Sequence, residues 1–148
     1  QALCDGFAAL VVEELVAAPW VDGAQEFLLA HRRRYRFFVV SGTPEFELRE
    51  IVRRRAMDHF FDEVLGSPMP KDALLRGILD RHGFRPWEVI FIGDAQTDWL
   101  AAQQAEIPFI WRCAPEVPML EGFTGCCMTS LTQLERSLAS MADRPVRA

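Results

Sequence analysis

Val89-Ile90-Phe91-Ile92-Gly93-Asp94-Ala95-Gln96-Thr97-Asp98 is the stretch whose reading decides the fold. Four apolar residues, rich in β-branched and aromatic types, read as a strand buried on both faces. The run ends in a Gly-Asp turn, and a second carboxylate follows at Asp98, where a helix begins. Open α/β sheets place their chemistry at this point, just past the carboxyl end of a strand. Two carboxylates on one strand tip suggest a divalent cation held by oxygen ligands.

Working outward, the same grammar recurs. Phe37-Phe38-Val39-Val40 is a second short apolar strand, breaking into Ser41-Gly42-Thr43-Pro44. Pro44 suits the first position of a helix and Thr43 its N-cap. Leu48, Ile51 and Val52 then supply the helix's buried face. A strand, a small-residue turn and a helix N-terminus gather backbone N–H groups and a serine hydroxyl for an anion. Phe60-Phe61 closes a short helical turn, and Glu63-Val64-Leu65 reads as a weaker, edge-like strand. Gly66-Ser67-Pro68-Met69-Pro70 is a loop that delivers Lys71, the only lysine in the chain, to the start of the next helix. Leu74, Leu75, Ile78 and Leu79 stripe that helix, and Gly83 ends it.

Beyond the opening stretch, Ala101, Ala102 and Ala105 mark a helix able to lie close on a sheet. Ile107 to Trp111 reads as another buried strand with Pro108 near its start, and Cys126 to Met128 as a last short one. Ser130 and Gln133 form a capping-box pattern for a helix to about Ala139. At the other end, a helix capped by Asp5 or Gly6 runs to about Ala17, Pro19 ends it, and Asp22-Gly23 opens a second. In that second helix Ala24, Phe27, Leu28 and His31 share a face. Strand and helix alternating from Phe37 onward predict an α/β fold, a Rossmann-like parallel sheet with helices on both faces.

Bulk composition bounds the function. The 148 residues suffice for one core domain. A net charge of −5 argues against a nucleic-acid or anionic-membrane partner. No apolar run reaches the ~18 residues of a membrane span. The four cysteines lack metal-site spacing and read as free thiols in a cytoplasmic setting. Neither G-x-G-x-x-G nor a Walker A pattern follows any strand, which ranks a nucleotide-binding domain last.

In a parallel sheet the strand ends share one edge, so Ser41, Lys71, Asp94 and Asp98 can converge. A hydroxyl, an ammonium and two carboxylates make a coherent phosphate and Mg²⁺ site. Their order resembles motifs II, III and IV of the haloacid dehalogenase-like (HAD) superfamily. The wording around them, Val39 to Pro44, Gly66-Ser67-Pro68 before Lys71, and Phe91 to Asp98, is similar to the phosphoglycolate-phosphatase-like members. Pro108-Phe109-Ile110 falls where that family has its last core strand, and the resemblance covers roughly Val21 to Arg112.

The resemblance implies a HAD-like core acting as a Mg²⁺-dependent phosphohydrolase on a small phosphorylated metabolite, through an aspartyl-phosphate. It assigns phosphate binding to Ser41, Gly42 and Lys71, catalytic roles to Ser41, Lys71 and Asp94, and metal binding to Asp94 and Asp98, with Asp94 the direct ligand. One departure matters: no D-x-D, the family's motif I, occurs in these residues. Leu3-Cys4-Asp5-Gly6 would put a leucine at the nucleophile, and leucine cannot form an acyl phosphate.

The expected organisation is therefore the last helix of an inserted cap domain over residues 1–18 and a core over residues 19–148. Trp20 to Ala24 resembles the segment that re-enters the core. The motif I strand, central to the family's sheet, is expected upstream of Gln1, leaving this chain inactive alone. The alternative is a catalytically incomplete HAD-like module with a phosphate- or protein-binding role. Dehalogenation ranks below phosphatase chemistry. The substrate's identity and the oligomeric state are not legible.

Overall fold

The computed structural model describes residues 11–113, 115 and 119–142. Residues 11–17 are helical; the proposed caps at Asp5 and Gly6 lie outside the described residues. The elements that follow are α1 (Ala24–His31), β1 (Phe38–Pro44), α2 (Glu45–Arg54), β2 (Glu63–Ser67) and α3 (Lys71–His82). Then come β3 (Phe91–Gly93), α4 (Gln96–Gln104), β4 (Phe109–Arg112), β5 (Cys126–Met128) and α5 (Leu134–Ala142). Short 3₁₀ turns at Asp58–Phe60, Pro86–Glu88 and Leu131–Gln133 join them.

All strand pairs are parallel. β1 pairs with β2, and β3, β4 and β5 form a second ladder in that order. Among the described residues no strand lies between β1 and β3. These two strands instead flank an apolar cleft of about 550 Å³, lined by Phe37 to Val40 on one side and Val89 to Ile92 on the other. Leu75 and Ile78 of α3 border it on one face, and Phe27 of α1 with Leu134 and Leu138 of α5 on the opposite face.

The sequence periodicities explain this layering. The α3 stripe Leu74, Leu75, Ile78 and Leu79 is buried throughout, and its Leu75 and Leu79 pack with Ala101 of α4, with Ala105 at that helix's C-cap and with Ile107. Small residues let the α3 and α4 surfaces meet closely. Across the sheet, Ile110 and Met128 bury against Leu134, with Phe27, Ile90 and Ile92 around them. Helices on both faces make the sheet strands apolar on both sides, which is why they read as continuous runs.

Several boundaries differ from the sequence reading. β1 continues through Ser41-Gly42-Thr43 to Pro44, so Pro44 is the N-cap of α2 and not its first helical residue. Thr43 makes no side-chain cap. Its backbone N–H donates to the Ser41 hydroxyl at 3.1 Å, and that hydroxyl donates to Thr43 Oγ1 at 3.1 Å. β3 begins at Phe91, two residues later than the apolar run: Phe91 N–H reaches Pro108 C=O at 2.9 Å, and Pro108 has no N–H to carry the ladder further back.

The capping box at Ser130 is only half formed. Ser130 accepts from the Thr132 N–H at 3.1 Å, but Gln133 accepts from Thr129 and not from the cap residue. The helix then runs on to Ala142. Cys113, Cys126 and Cys127 are free thiols. The Cys113 thiol hydrogen-bonded to Cys127 pushes the Cys127 pKa up.

Candidate active site

The four sequence-predicted residues meet. Ser41, Lys71, Asp94 and Asp98 line one pocket of about 330 Å³, together with Val40, Phe91, Ile92 and Gly93. Val40, Phe91 and Ile92 also line the apolar cleft, so the pocket caps its end. The strand-tip logic is borne out in space: β1 delivers Ser41, β3 delivers Asp94, and the two following helix starts deliver Lys71 and Asp98.

Asp98 is the anchor. It is 6% exposed, the only buried charged residue among those described. Its Oδ1 accepts from Lys71 Nζ at 2.6 Å, and its Oδ2 accepts from the Ala95 N–H at 3.1 Å. The second bond satisfies one of the orphan donors at the α4 N-terminus, where negative charge also complements the helix dipole. Gly93 makes the arrangement possible. A β-carbon there would lie 2.6 Å from Asp98 Cβ and 2.6 Å from Oδ2, inside contact distance, so only glycine lets the strand end and the carboxylate approach.

Lys71 opens α3 just beyond the Ser67–Pro68 bond, which is cis. Its Nζ also lies 3.5 Å from Thr97 Oγ1. Its Cε passes within 3.9 Å of where a Gly42 β-carbon would sit. The lysine stem therefore crosses the β1 turn to reach the β3 side, tying the two strand tips together. Thr97 thereby joins the site as a lysine contact.

Asp94 differs from Asp98. Its side chain is 49% exposed, and its Oδ2 lies 3.5 Å from Arg112 Nη2. Arg112 lines the same pocket, and sequence reasoning gave it no role. Its signal was available: β4 runs parallel to β3, so a cation ending β4 must lie at the same sheet edge. Gly93 stands opposite Trp111, which sets Arg112 level with Asp94.

The donors available to a divalent cation here are carboxylate oxygens. Both Asp98 oxygens already have partners, while the Asp94 carboxylate opens on the pocket. Among the described residues no three or more His, Cys, Asp or Glu side chains come together. Hard oxygen donors with few protein ligands suit Mg²⁺, which retains several waters, and do not suit Zn²⁺. Oxygen donors alone at the pocket fit magnesium, with the Asp94 carboxylate the one open to the pocket.

Comparison with known proteins agrees with this architecture. Residues 11–112 match the sequence model of the haloacid dehalogenase-like hydrolase family. The chain belongs to that family. It is 29% identical over 80 residues to a phosphoglycolate phosphatase of Aliivibrio fischeri, covering 51% of this chain and 35% of that protein. It thus spans about a third of that curated relative's length. The crystal structure of a predicted phosphoglycolate phosphatase from Haemophilus somnus superposes with a TM-score of 0.74 at 20% identity, over 86% of this chain and 62% of that one. A HAD hydrolase of Bacillus subtilis bound to magnesium superposes with a TM-score of 0.69 at 18% identity, over 78% and 54%. Both likenesses concern the fold. Among the described residues no helix is long and apolar enough to cross a membrane.

Proposed function

We propose that these residues form the core of a Mg²⁺-dependent phosphohydrolase acting on a small phosphomonoester, through an aspartyl-phosphate on a residue outside this sequence. The observation that carries the reading is the convergence of Ser41, Lys71, Asp94 and Asp98 on one pocket at the ends of β1 and β3. Ser41 and the Gly42 backbone bind phosphoryl oxygens, and Lys71 neutralises their charge as it develops. Asp94 holds the metal, which when bound supplies Lewis-acid polarisation of the phosphoryl group. Asp98 fixes Lys71 and supports the same metal.

The cleft supports the placement of the nucleophile. It is apolar on both sides and bordered by two parallel-sheet edges, a fit for one additional strand of about four apolar residues. A strand there would end between Ser41 and Asp94, where a carboxylate could attack phosphorus. Likeness to a phosphoglycolate phosphatase makes a small phosphorylated hydroxy acid the first substrate to try.

The test is hydrolysis of an aryl phosphate and of phosphoglycolate by the full-length natural protein, with and without Mg²⁺. Metal-dependent turnover abolished by Asp94→Ala is expected. Unchanged turnover in that variant would overturn the site assignment. A folded full-length protein that binds phosphate yet never turns over would favour the catalytically incomplete module.

A further inference from the structure

Arg112 is the one charged side chain in the pocket that the reading above leaves without work. Its side chain is 19% exposed, and its guanidinium lies 3.5 Å from the carboxylate assigned to the metal. It stands on the β4 side of Asp94, while Ser41 belongs to β1 on the opposite side of the cleft, so Asp94 sits between the two.

The pocket's formal charges balance. Lys71 faces Asp98 at 2.6 Å and Arg112 faces Asp94 at 3.5 Å. Two cations against two carboxylates leave little net attraction for an anion. A divalent cation taken up by Asp94 changes this: the carboxylate now has a stronger partner, and the pocket carries two positive charges in excess. That excess matches a phosphomonoester dianion. Conversely, a guanidinium 3.5 Å from Asp94 Oδ2 opposes an incoming cation by like-charge repulsion.

We propose that Arg112 is a positioning residue that couples the two ligands: it holds Asp94 while no cation is bound and engages the phosphate oxygens once the cation takes that carboxylate. The inference rests on the metal and phosphate assignment above. It makes Arg112 weaken cation binding and strengthen anion binding, two effects of opposite sign. A residue that merely props the strand end would shift both in the same direction. Linkage then requires that Mg²⁺ and phosphate each raise the other's affinity by one common factor, to which Arg112 contributes.

The experiment is calorimetric titration of the full-length protein with Mg²⁺ alone, and with inorganic phosphate at saturating Mg²⁺, for wild type, Arg112→Met and Arg112→Lys. In Arg112→Met, Mg²⁺ should bind tighter and phosphate weaker, each by about 5- to 10-fold, the lower part of the range of measured couplings. Arg112→Lys retains the charge and should recover both affinities at least in part. Near-UV circular dichroism, read on the buried Trp111 beside it, checks that the fold is intact. Both affinities falling together, or neither changing, would overturn the coupling while the site stands. A wild-type protein that binds neither Mg²⁺ nor phosphate, or an Asp94→Asn variant that binds Mg²⁺ as wild type does, would overturn the site reading itself, and the coupling with it.

Discussion

Replacing Asp98 tests the centre of the site through stability, with no substrate required. Asp98→Ala removes two interactions that the structure separates cleanly. Loss of the bond to the Ala95 N–H costs about 1 kcal/mol, the usual effect of deleting a helix N-terminal cap. Loss of the carboxylate also strands Lys71, whose side chain is 19% exposed. A fully buried pair broken on one side costs about 3–5 kcal/mol, and the remaining water access at Lys71 lowers this to about 1–3. The sum is about 2–4 kcal/mol, a fall in Tm of about 6–12 °C for a domain of this size. Asp98→Asn keeps an oxygen able to accept from Ala95, so only the ionic part should be lost.

A double-mutant cycle with Lys71→Met isolates that part and should return a coupling of about 1–2 kcal/mol. Urea unfolding followed by tryptophan fluorescence is a suitable assay, since Trp99 packs on Phe123 and Trp111 is buried. An Asp98→Ala variant within about 0.5 kcal/mol of wild type, the range of ordinary surface changes, would refute the assignment of Asp98 as an anchor. A zero coupling would refute the ion pair alone.

Gly93→Ala should destabilise by about 1–3 kcal/mol, because the new methyl displaces the Asp98 side chain; a neutral result in the same urea assay would contradict the close approach. Ile110→Ala, at a fully buried position between Met128 and Leu134, should cost about 2–5 kcal/mol by thermal unfolding. Glu63 gives a pH signature. The Arg81 guanidinium hydrogen-bonded to it, and secondarily His82, hold its carboxyl below the usual 4.5. A depressed folded-state pKa stabilises at pH above the unfolded value and loses that contribution as pH falls through the folded one. The stability gap between wild type and Glu63→Gln should therefore be widest near neutrality and shrink below about pH 4.5; a gap constant from pH 7 to pH 3 would exclude the effect.

The strands and the polar residues at their tips were legible in the sequence because a parallel sheet covered on both faces turns each strand into an uninterrupted apolar run. The turn residues after each run are then conspicuous. Leu74, Leu75, Ile78 and Leu79 were legible for the same reason, since α3 buries one face only. What escaped depends on partners distant in the chain. The late start of β3 is set by Pro108 on the neighbouring strand. The extension of β1 to Pro44 is set by its pairing with Ser67. The approach of Asp98 to Gly93 is legible only once the turn is folded, although Gly-Asp followed by a second acid hints at it. Arg112 was missed because a charge after a strand is common, and its meaning comes only from the register of β4 on β3.

The cleft between β1 and β3 connects the fold to the chemistry more closely than any single side chain. Neighbouring strands in a sheet stand about 4.8 Å apart, so one strand between β1 and β3 would hold them about 9.6 Å apart. Ser41 and Asp94 ride on those two strands, and Lys71 spans from one tip to the other. The width of the cleft therefore sets the spacing of the Ser41 and Asp94 sides of the pocket. A strand in the cleft would complete the apolar core between Leu75 and Ile78 on one face and Phe27 and Leu134 on the other, and would fix the site's dimensions in the same act. On the proposed reading a carboxylate ending that strand would arrive between Ser41 and Asp94, so that completing the core and completing the site become one structural event.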